Sequence, residues 1–283
     1  MTYNTLDYAV QDGILTLTLN RPEQMNAFTV EMANELVAAF TRASDDDAVR
    51  AIIVTGSGKA FCAGMDLSVP GNVFGLDESQ QPTLDDMRAR LDDPAIHAGV
   101  RDTGGRVTLA IYNCKKPVIA AINGAAVGIG ATMTLAMDVR LASEKARIGF
   151  VFGKIGIVPE ACSSWFLPRI VGISQALEWV YGADILSAED AKAGGLVKAV
   201  VAPDQLLENW GPASVDELEP AHMDALLSLK PSVAILGTGV FMIGDASLLI
   251  RSASEAALAA SIRSFLSVRI LSISSARFIV LSP

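Results

Sequence analysis

The stretch KPVIAAINGAAVGIGATMTLAMDVRLAS, residues 116–143, decides how the rest of this chain is interpreted. It opens with the apolar run Val118–Ile122, which predicts a buried strand. A turn containing Gly128 and Gly130 follows, and Ala131–Met137 is typical of a helix start. A strand that passes through a glycine-rich turn into a helix leaves backbone N–H groups free, with the positive end of the helix dipole behind them. The stretch therefore predicts a place that holds negative charge, either a bound anion or an oxyanion formed during a reaction.

The same succession of strand, turn and helix occurs at residues 51–67, 118–137 and 148–171. The short all-apolar run Ala51–Val54 is typical of a strand in a parallel sheet. This alternation predicts an α/β fold with layers and largely parallel strands. Before it, alternating residues predict a hairpin, and Thr29 is placed to cap a helix that extends to Arg42.

The composition excludes several classes of protein. The chain has 283 residues, of which 51% are hydrophobic, so we expect a full core rather than disorder. A net charge of −9 without clustered Lys or Arg argues against nucleic-acid binding. The cysteines Cys62, Cys114 and Cys162 lie far apart, and neither His97 nor His222 sits in a recognisable motif, so no metal site is predicted. The first ten residues lack the pattern of a signal peptide, and we expect a cytoplasmic protein.

The C-terminal quarter differs from the rest. Beyond Leu207 the carboxylates become rare, and Ser, Leu and Ile dominate. Val233–Ile250 is long enough by count to span a membrane, but it contains three glycines and an aspartate, so we expect a helical region and no span. The sequence therefore predicts a catalytic core over residues 1–207 and an atypical, helical region over residues 208–283. The abrupt change in composition also raises the hypothesis of a shifted reading frame, which re-sequencing of the 3′ end would test.

Five motifs occur in a fixed order along the chain: NRPEQMNAF (20–28), KAFCAGMDL (59–67), NGAAVGIG (123–130), PEA (159–161) and AEDAKAGGLV (188–197). Together they resemble the enoyl-CoA hydratase/isomerase (crotonase) superfamily over about residues 5–207. The resemblance implies a crotonase-like spiral of repeated strand-strand-helix units with a C-terminal helical region. It also implies acyl-CoA thioester substrates, a homotrimer or hexamer, and no cofactor apart from the coenzyme A of the substrate. Residues 68–105 would then form a loose helical cover of the active site.

The resemblance also assigns roles to residues in the matching motifs. The backbone N–H groups of Met65 and Ile129 would stabilise the enolate oxygen of the thioester, and loss of one such donor typically costs about 3–4 kcal/mol. The substrate-binding residues would be these two together with Ala27, Ala63, Asp66, Leu67 and Ser68. The alternative interpretation is that both glycine-rich loops are only tight turns between strands and helices.

The proton-transferring side chain would determine the reaction. Hydratases of this superfamily carry two glutamates, but the corresponding positions here hold Thr132 and Phe152, neither of which exchanges a proton at neutral pH. Glu160 instead stands where the Δ3,Δ2-enoyl-CoA isomerases place a single base. We expect apolar neighbours to raise its pKa, namely Phe150, Phe152, Trp165 and Phe166.

The favoured activity is therefore the shift of an enoyl-CoA double bond from Δ3 to Δ2, with Glu160 as the base. Three alternatives remain open: thioester hydrolysis or dehalogenation at the same position, enoyl-CoA hydration, and non-catalytic binding of acyl-CoA. A further alternative for Glu160 itself is that it is only an acid in the first turn of a helix, where the helix dipole favours it.

Overall fold

The computed structural model describes residues 2–68, 72–77, 79–90, 93–94, 96 and 101–201, and the strand backbones at 233–236, 239–242 and 279–281. The chain forms two compact units, residues 1–198 and residues 199–283. The first unit contains every residue that the sequence singled out as a site residue.

The first unit alternates strands and helices. Its strands are β1 (Leu6–Gln11), β2 (Ile14–Leu19), β3 (Ala51–Gly56), β4 (Ala60–Cys62), β5 (Val118–Ile122), β6 (Ala125–Val127), β7 (Val139–Ser143), β8 (Arg147–Gly149) and β9 (Ile185–Ser187). Its α-helices are α1 (Val30–Asp45), α2 (Leu84–Ala89), α3 (Thr103–Tyr112), α4 (Ile129–Thr132), α5 (Phe152–Ile155), α6 (Ser163–Val171), α7 (Ile173–Gly182) and α8 (Ala188–Ala193). Short 3₁₀ turns occupy Pro22–Gln24 and Met133–Ala136.

The strands of the first unit form two sheets. In one sheet the strands lie in the order β1-β2-β3-β5-β7, in which β1 and β2 form an antiparallel hairpin and the other pairs are parallel. The second sheet has the order β4-β6-β8-β9, in which only β9 is antiparallel to its neighbour. Consecutive strands belong to different sheets at β3–β4, β5–β6 and β7–β8. This arrangement confirms the predicted α/β fold with largely parallel strands.

The core of this unit forms because apolar residues recur at the spacing of each element. Leu15, Leu17 and Leu19 alternate on the buried face of β2, while α1 buries residues three to four positions apart, such as Met32 and Leu36. Each such side chain contributes about 1.5–3 kcal/mol when fully buried. The α1 helix begins directly after its cap, where the hydroxyl of Thr29 accepts the Met32 N–H at 3.1 Å, as predicted.

The central stretch matches its prediction in part. The strand β5 has the predicted bounds, but the expected helix is split into the short α4 and a 3₁₀ turn. The sequence interpretation also missed β4 and β6, because three residues between glycines give no readable alternation. The predicted cover contains α2 and leads into α3, while the histidines at positions 97 and 222 lie outside the described residues.

The second unit is described only at β10 (Ala199–Val201), β11 (Val233–Leu236), β12 (Gly239–Met242) and β13 (Ile279–Leu281). In it β11 pairs antiparallel with β12 and with β13, so the prediction of helix is wrong for those residues. The predicted boundary at residue 207 lies outside the described residues, and it stays a prediction together with the rest of the helical region. No helix among the described residues is long and apolar enough to cross a membrane.

Candidate active site

Two glycine-rich loops pack backbone against backbone because their glycines carry no side chain. A Cβ atom on Gly124 would lie 2.0 Å from the Lys59 carbonyl oxygen, and one on Gly130 would lie 2.0 Å from the Cys62 carbonyl oxygen. Between these two contacts, β4 and β6 pair in parallel. We call residues 59–67 the first loop and residues 123–130 the second loop. The two glycines therefore fix the loops side by side, as the resemblance requires of two cooperating oxyanion donors.

The first loop is held by a parallel bridge to Phe28. The Phe28 N–H donates to the Gly64 carbonyl at 2.8 Å, and the Asp66 N–H donates to the Phe28 carbonyl at 2.8 Å. Because alternate residues of extended backbone direct their N–H groups to opposite sides, the Met65 N–H faces away from Phe28. Within the described part of the chain, this N–H has no acceptor.

The second loop ends in the start of α4. Gly128 turns the chain with φ 54° and ψ −123°, and its carbonyl accepts the Thr132 N–H at 2.9 Å. Ile129 is the first residue of the helix, where an N–H group has no intrahelical partner. Its N–H has no acceptor among residues that the structure describes, while its side chain is buried. Both N–H groups predicted to stabilise an oxyanion are therefore free of protein acceptors in this part of the chain.

Glu160 lies beside the second loop. Its Oε1 accepts a hydrogen bond from the Thr132 hydroxyl at 2.7 Å. Its Oε2 lies 2.8 Å from the position that a Cβ of Gly104 would occupy, and Ile129 Cδ1 lies at the same distance from that position. The carboxylate is thus placed next to α3, and its bond to Thr132 joins it to α4, the helix that Ile129 begins.

Burial raises the pKa of Glu160 to about 7, the hydrogen bond from Thr132 lowers it, and the charge of Asp102 raises it further. Asp102 is itself engaged, because its Oδ1 accepts the Gly105 N–H at 2.6 Å at the start of α3. Burial also raises the pKa of Asp102. A carboxyl group that titrates near neutral pH is suited to take up and return a proton.

An unusual backbone turn holds Glu160 in place. The next two residues, Ala161 and Cys162, adopt φ angles of 49° and 58°, in the left-handed region that residues other than glycine rarely occupy. The Glu160 carbonyl accepts the Ser163 N–H at 2.9 Å and the Ser163 hydroxyl at 2.6 Å. The α6 helix starts only at Ser163 and has no acid in its first turn. The predicted helix start at Glu160, and with it the alternative of a first-turn acid, is therefore wrong.

Burial raises the pKa of Glu160, as predicted, and the four aromatic residues expected around it differ in exposure. Trp165 is 57% exposed, and the Arg169 guanidinium lies over its ring. Phe166 packs edge-on against Tyr112, while Phe150 is buried and stacks on Trp179. The contacts that the structure gives to the carboxylate come from Thr132 and from the glycine at position 104. Sequence reasoning missed that glycine, because it lies 56 positions before Glu160 with no motif around it.

The residues predicted to bind coenzyme A have different exposures. Ala27 and Ala63 are half-buried, whereas Leu67 and Ser68 are exposed. Asp66 is buried and forms an ion pair with Arg21 at 3.0 Å. The Ser68 hydroxyl, followed by Arg21, lowers the pKa of Asp66. A cavity of about 350 Å³ adjoins these residues and is lined by Arg21, Phe28, Thr29, Val30, Glu31, Asp66, Asn72 and Val73.

No group of three or more His, Cys, Asp or Glu side chains among the described residues could hold a metal ion. The two sheets, the paired loops and the buried carboxylate define an α/β protein whose architecture agrees with the resemblance to the crotonase superfamily.

Comparisons with known proteins agree with this class. A sequence model of the family described as enoyl-CoA hydratase/isomerase matches residues 9–93 and 83–233. A probable enoyl-CoA hydratase of Rhodobacter capsulatus is 37% identical over 210 residues, which are 74% of each chain. The 1,2-epoxyphenylacetyl-CoA isomerase of Escherichia coli is 34% identical over 70% of each chain. An enoyl-CoA hydratase of Alternaria alternata is 38% identical, and there the match spans 58% of the relative's length.

A solved structure supports the same assignment. The enoyl-CoA hydratase/isomerase of Pseudoalteromonas atlantica superposes with a TM-score of 0.58 and 27% identity, over 94% of this chain and 84% of that one. The chain belongs to the enoyl-CoA hydratase/isomerase family, has a crotonase fold and is an enzyme of the acyl-CoA-processing class.

Proposed function

We propose that this enzyme shifts the double bond of an enoyl-CoA from Δ3 to Δ2, with Glu160 as the base. The observation that carries the proposal is the placement of Glu160. This buried carboxyl group has a pKa of about 7 and is bound by the hydroxyl of Thr132, which lies on the same short helix as Ile129.

The reaction needs one base and one oxyanion site. The Glu160 carboxylate takes a proton from C2 of a 3-enoyl thioester, and the electron pair of the broken C–H bond moves into a dienolate. The thioester oxygen then carries the negative charge, which the N–H groups of Met65 and Ile129 stabilise. Glu160 then delivers a proton to C4, and the double bond is left between C2 and C3. Exchange of the proton on Glu160 with solvent between the two steps introduces deuterium when the reaction runs in D₂O. No net proton is gained or lost.

The arrangement of carboxyl groups favours isomerisation over hydration. Hydration requires a second group that activates water. The two positions that correspond to the hydratase glutamates hold Thr132, whose hydroxyl donates to Glu160, and Phe152, which is 2% exposed. Asp102, whose charge acts on Glu160, is already bonded to the first turn of α3.

The substrate would be bound as a coenzyme A thioester. We propose that Ala27, Ala63 and Asp66 with its two following residues line the coenzyme A channel next to the cavity that contains Arg21. The coenzyme A of the substrate would be the only coenzyme needed. The trimer or hexamer and the cytoplasmic location implied by the resemblance stay predictions, and sedimentation of the purified chain tests the former.

Hydration of a 2-enoyl-CoA is the second candidate, because the relatives from Rhodobacter capsulatus and Alternaria alternata are named enoyl-CoA hydratases. Hydrolysis and dehalogenation would need Glu160 as a nucleophile or base on another acyl group. Simple binding of acyl-CoA would need no proton transfer.

One set of assays separates these activities. The purified chain is given 3-hexenoyl-CoA, crotonyl-CoA and saturated acyl-CoAs in D₂O, and conjugated product, hydration and exchange of the α-proton are followed. We expect conjugated 2-enoyl product and α-proton exchange, with hydration slower by orders of magnitude. Faster hydration of crotonyl-CoA would overturn the isomerase assignment, and binding without any exchange would favour the non-catalytic alternative.

The variant Glu160→Gln tests the base directly. We expect isomerisation and exchange to fall by about 10²–10⁴-fold, the usual contribution of a general base. The matched control is Glu189→Gln, which changes an exposed glutamate on α8 and should leave both rates unchanged. Retained activity in Glu160→Gln would remove Glu160 from the mechanism.

A further inference from the structure

The hydroxyl of Thr132 has one described hydrogen-bond acceptor, the carboxylate of Glu160. Thr132 is 0% exposed, and its Oγ1 lies 2.7 Å from Glu160 Oε1. A threonine hydroxyl has a single proton to donate, so this contact fixes both the hydroxyl and the carboxylate oxygen. The backbone of Thr132 is held as well, because its N–H donates to the Gly128 carbonyl at 2.9 Å. The hydroxyl thus stands on the same short helix as the candidate oxyanion donor Ile129.

The other carboxylate oxygen has a different environment. Glu160 Oε2 lies 2.8 Å from the position that a Cβ of Gly104 would occupy, and glycine has no side chain that could donate a hydrogen bond to it. Of the two oxygens, Oε2 is therefore free of a hydrogen bond from the described residues and is available to a substrate C–H group.

We propose that Thr132 is the positioning residue of Glu160: its hydroxyl holds Oε1, and Oε2 is the oxygen that takes the substrate proton and returns it. This inference rests on the proposed function and adds an atom-level assignment to it. In the step, the C2–H bond breaks, an O–H bond forms at Oε2, and the electron pair enters the dienolate. The O–H group at Oε2 then gives a proton to C4, where an electron pair of the dienolate forms the new C–H bond.

The hydroxyl contributes orientation and electrostatics. A hydrogen bond donated to a carboxylate stabilises the charged form, so it opposes the effect of burial on the base. Other titratable groups act around the carboxyl: Asp102 at the start of α3, Cys162 in the following turn and Cys62 on β4, with Arg101 acting on Cys162 and Asp102. None of them is changed by a substitution at position 132.

The test compares the pH dependence of α-proton exchange in the wild-type chain and in Thr132→Val. The valine side chain has nearly the same shape as that of threonine but lacks the hydroxyl. A hydrogen bond to a charged group is strong enough to move a pKa by about one unit. Without the hydroxyl the pKa of Glu160 should rise, so we expect the ascending limb of the pH profile of kcat/KM to shift to higher pH by about one unit. Exchange at pH 6 should then be about tenfold slower. KM should change less than kcat, and Thr132→Ser should restore the wild-type limb.

The matched control is Thr134→Val. Thr134 is also buried, but its hydroxyl donates to the Ala131 carbonyl at 2.7 Å and makes no contact with Glu160. Thr134→Val should lower the free energy of unfolding without shifting the ascending limb of the pH profile of kcat/KM. This difference separates a packing effect from the proposed role of Thr132. Thr132→Ala also removes the hydroxyl, so it takes the place of Thr132→Val in these measurements if the valine variant does not fold.

The outcomes distinguish this inference from the proposed function. Wild-type rates and an unshifted limb in Thr132→Val would overturn the role of Thr132 while leaving Glu160 as the base. Absence of α-proton exchange in the wild-type chain would overturn the proposed function. In that case infrared titration of the Glu160 carboxyl, identified by difference from Glu160→Gln, still shows whether its pKa depends on the Thr132 hydroxyl.

Discussion

The two glycine-rich loops present the same kind of group by different structural means. In the first loop the Met65 N–H is free because extended backbone alternates its direction and Phe28 takes only the neighbouring groups. In the second loop the Ile129 N–H is free because it is the first of a helix. The first loop depends on tertiary pairing, whereas the second depends on local helix geometry.

The carboxyl groups next to the loops also differ. Asp66, in the first loop, has a lowered pKa because Ser68 and Arg21 stabilise its charge. Glu160, beside the second loop, has a raised pKa because burial outweighs the hydrogen bond from Thr132. One carboxylate therefore stabilises a loop as a permanent charge, while the other is suited to change its charge. The following predictions test this difference.

The largest effect is expected for Gly130→Ala, which forces a Cβ against the Cys62 carbonyl and separates the loops. The clash is with backbone, so we expect a loss of about 3 kcal/mol or more in unfolding free energy, and loss of activity. The matched control is Gly124→Ala, which makes an equally close clash with the Lys59 carbonyl at the other end of β6.

Urea unfolding and kcat of both variants are compared. Both variants should lose unfolding free energy. For a similar loss, Gly130→Ala should reduce kcat more than Gly124→Ala does, because position 130 is next to Ile129. Equal activity losses would mean that the spacing of the loops at Gly130 has no special effect on the site.

The second prediction concerns stability and pH. The pKa of Glu160 is about 7 in the folded chain and 4.5 as its ordinary value, so the folded state binds the proton more tightly. The contribution of the Glu160 carboxyl to the free energy of unfolding is therefore present at low pH. It is lost as the pH rises from about 4.5 to about 7, and the free energy of unfolding falls by about 3 kcal/mol over this range.

Urea unfolding of the wild-type chain and of Glu160→Gln at pH 5 and pH 8 measures this contribution. The glutamine variant lacks it, so it should gain stability relative to the wild type between the two pH values. A constant difference would show that Glu160 is not held in a desolvated position.

The third prediction compares backbone strain in the two loops. Gly128 has φ 54° with no atom of the described residues within 4 Å of the place that a Cβ would take, whereas Gly64 has φ 114° and the Val127 carbonyl oxygen at 3.3 Å from that place. We expect Gly128→Ala to cost about 1–2 kcal/mol and Gly64→Ala about 2–3 kcal/mol. Thermal unfolding of the two variants checks the order, and the reverse order would show that space matters less than strain.

The smallest effect is expected for Asp66→Asn. The lowered pKa of Asp66 means that its stabilisation is present at neutral pH and is lost as the pH falls below its ordinary value of 3.8. The asparagine amide oxygen can still accept the hydrogen bonds from Arg21 and Ser68, so we expect a loss of at most about 1 kcal/mol at pH 7. Urea unfolding should show a larger difference from the wild type at pH 7 than at pH 3.

Much of the fold could be predicted because short segments of neighbouring residues determine where its strands and helices begin and end. The apolar run of β5 and the Thr29 cap each involve residues within five positions of one another. The loops themselves were predicted from their glycines. The three-residue strands β4 and β6 were missed, because so short a run between glycines resembles a turn.

The candidate site was only partly predictable. Glu160 was identified through the order of motifs, but its contacts with Thr132 and with Gly104 join residues 28 and 56 positions apart. Trp165, one of the aromatic residues expected near it, is 57% exposed, and the Arg169 guanidinium lies over its ring. No sequence spacing specifies which face of a helix turns toward a neighbour across the core.

The sequence by itself determined the alternation of strands and helices, the glycines at which backbones approach, and the presence of Glu160 in the motif PEA at residues 159–161. Those features depend on residue size, backbone freedom and side-chain chemistry, which are local properties. Only the tertiary structure decided that Thr132 and Glu160 share a hydrogen bond and that burial brings the pKa of that carboxyl near 7. Desolvation and hydrogen bonding across the fold arise from which segments pack together, and a linear sequence does not state that.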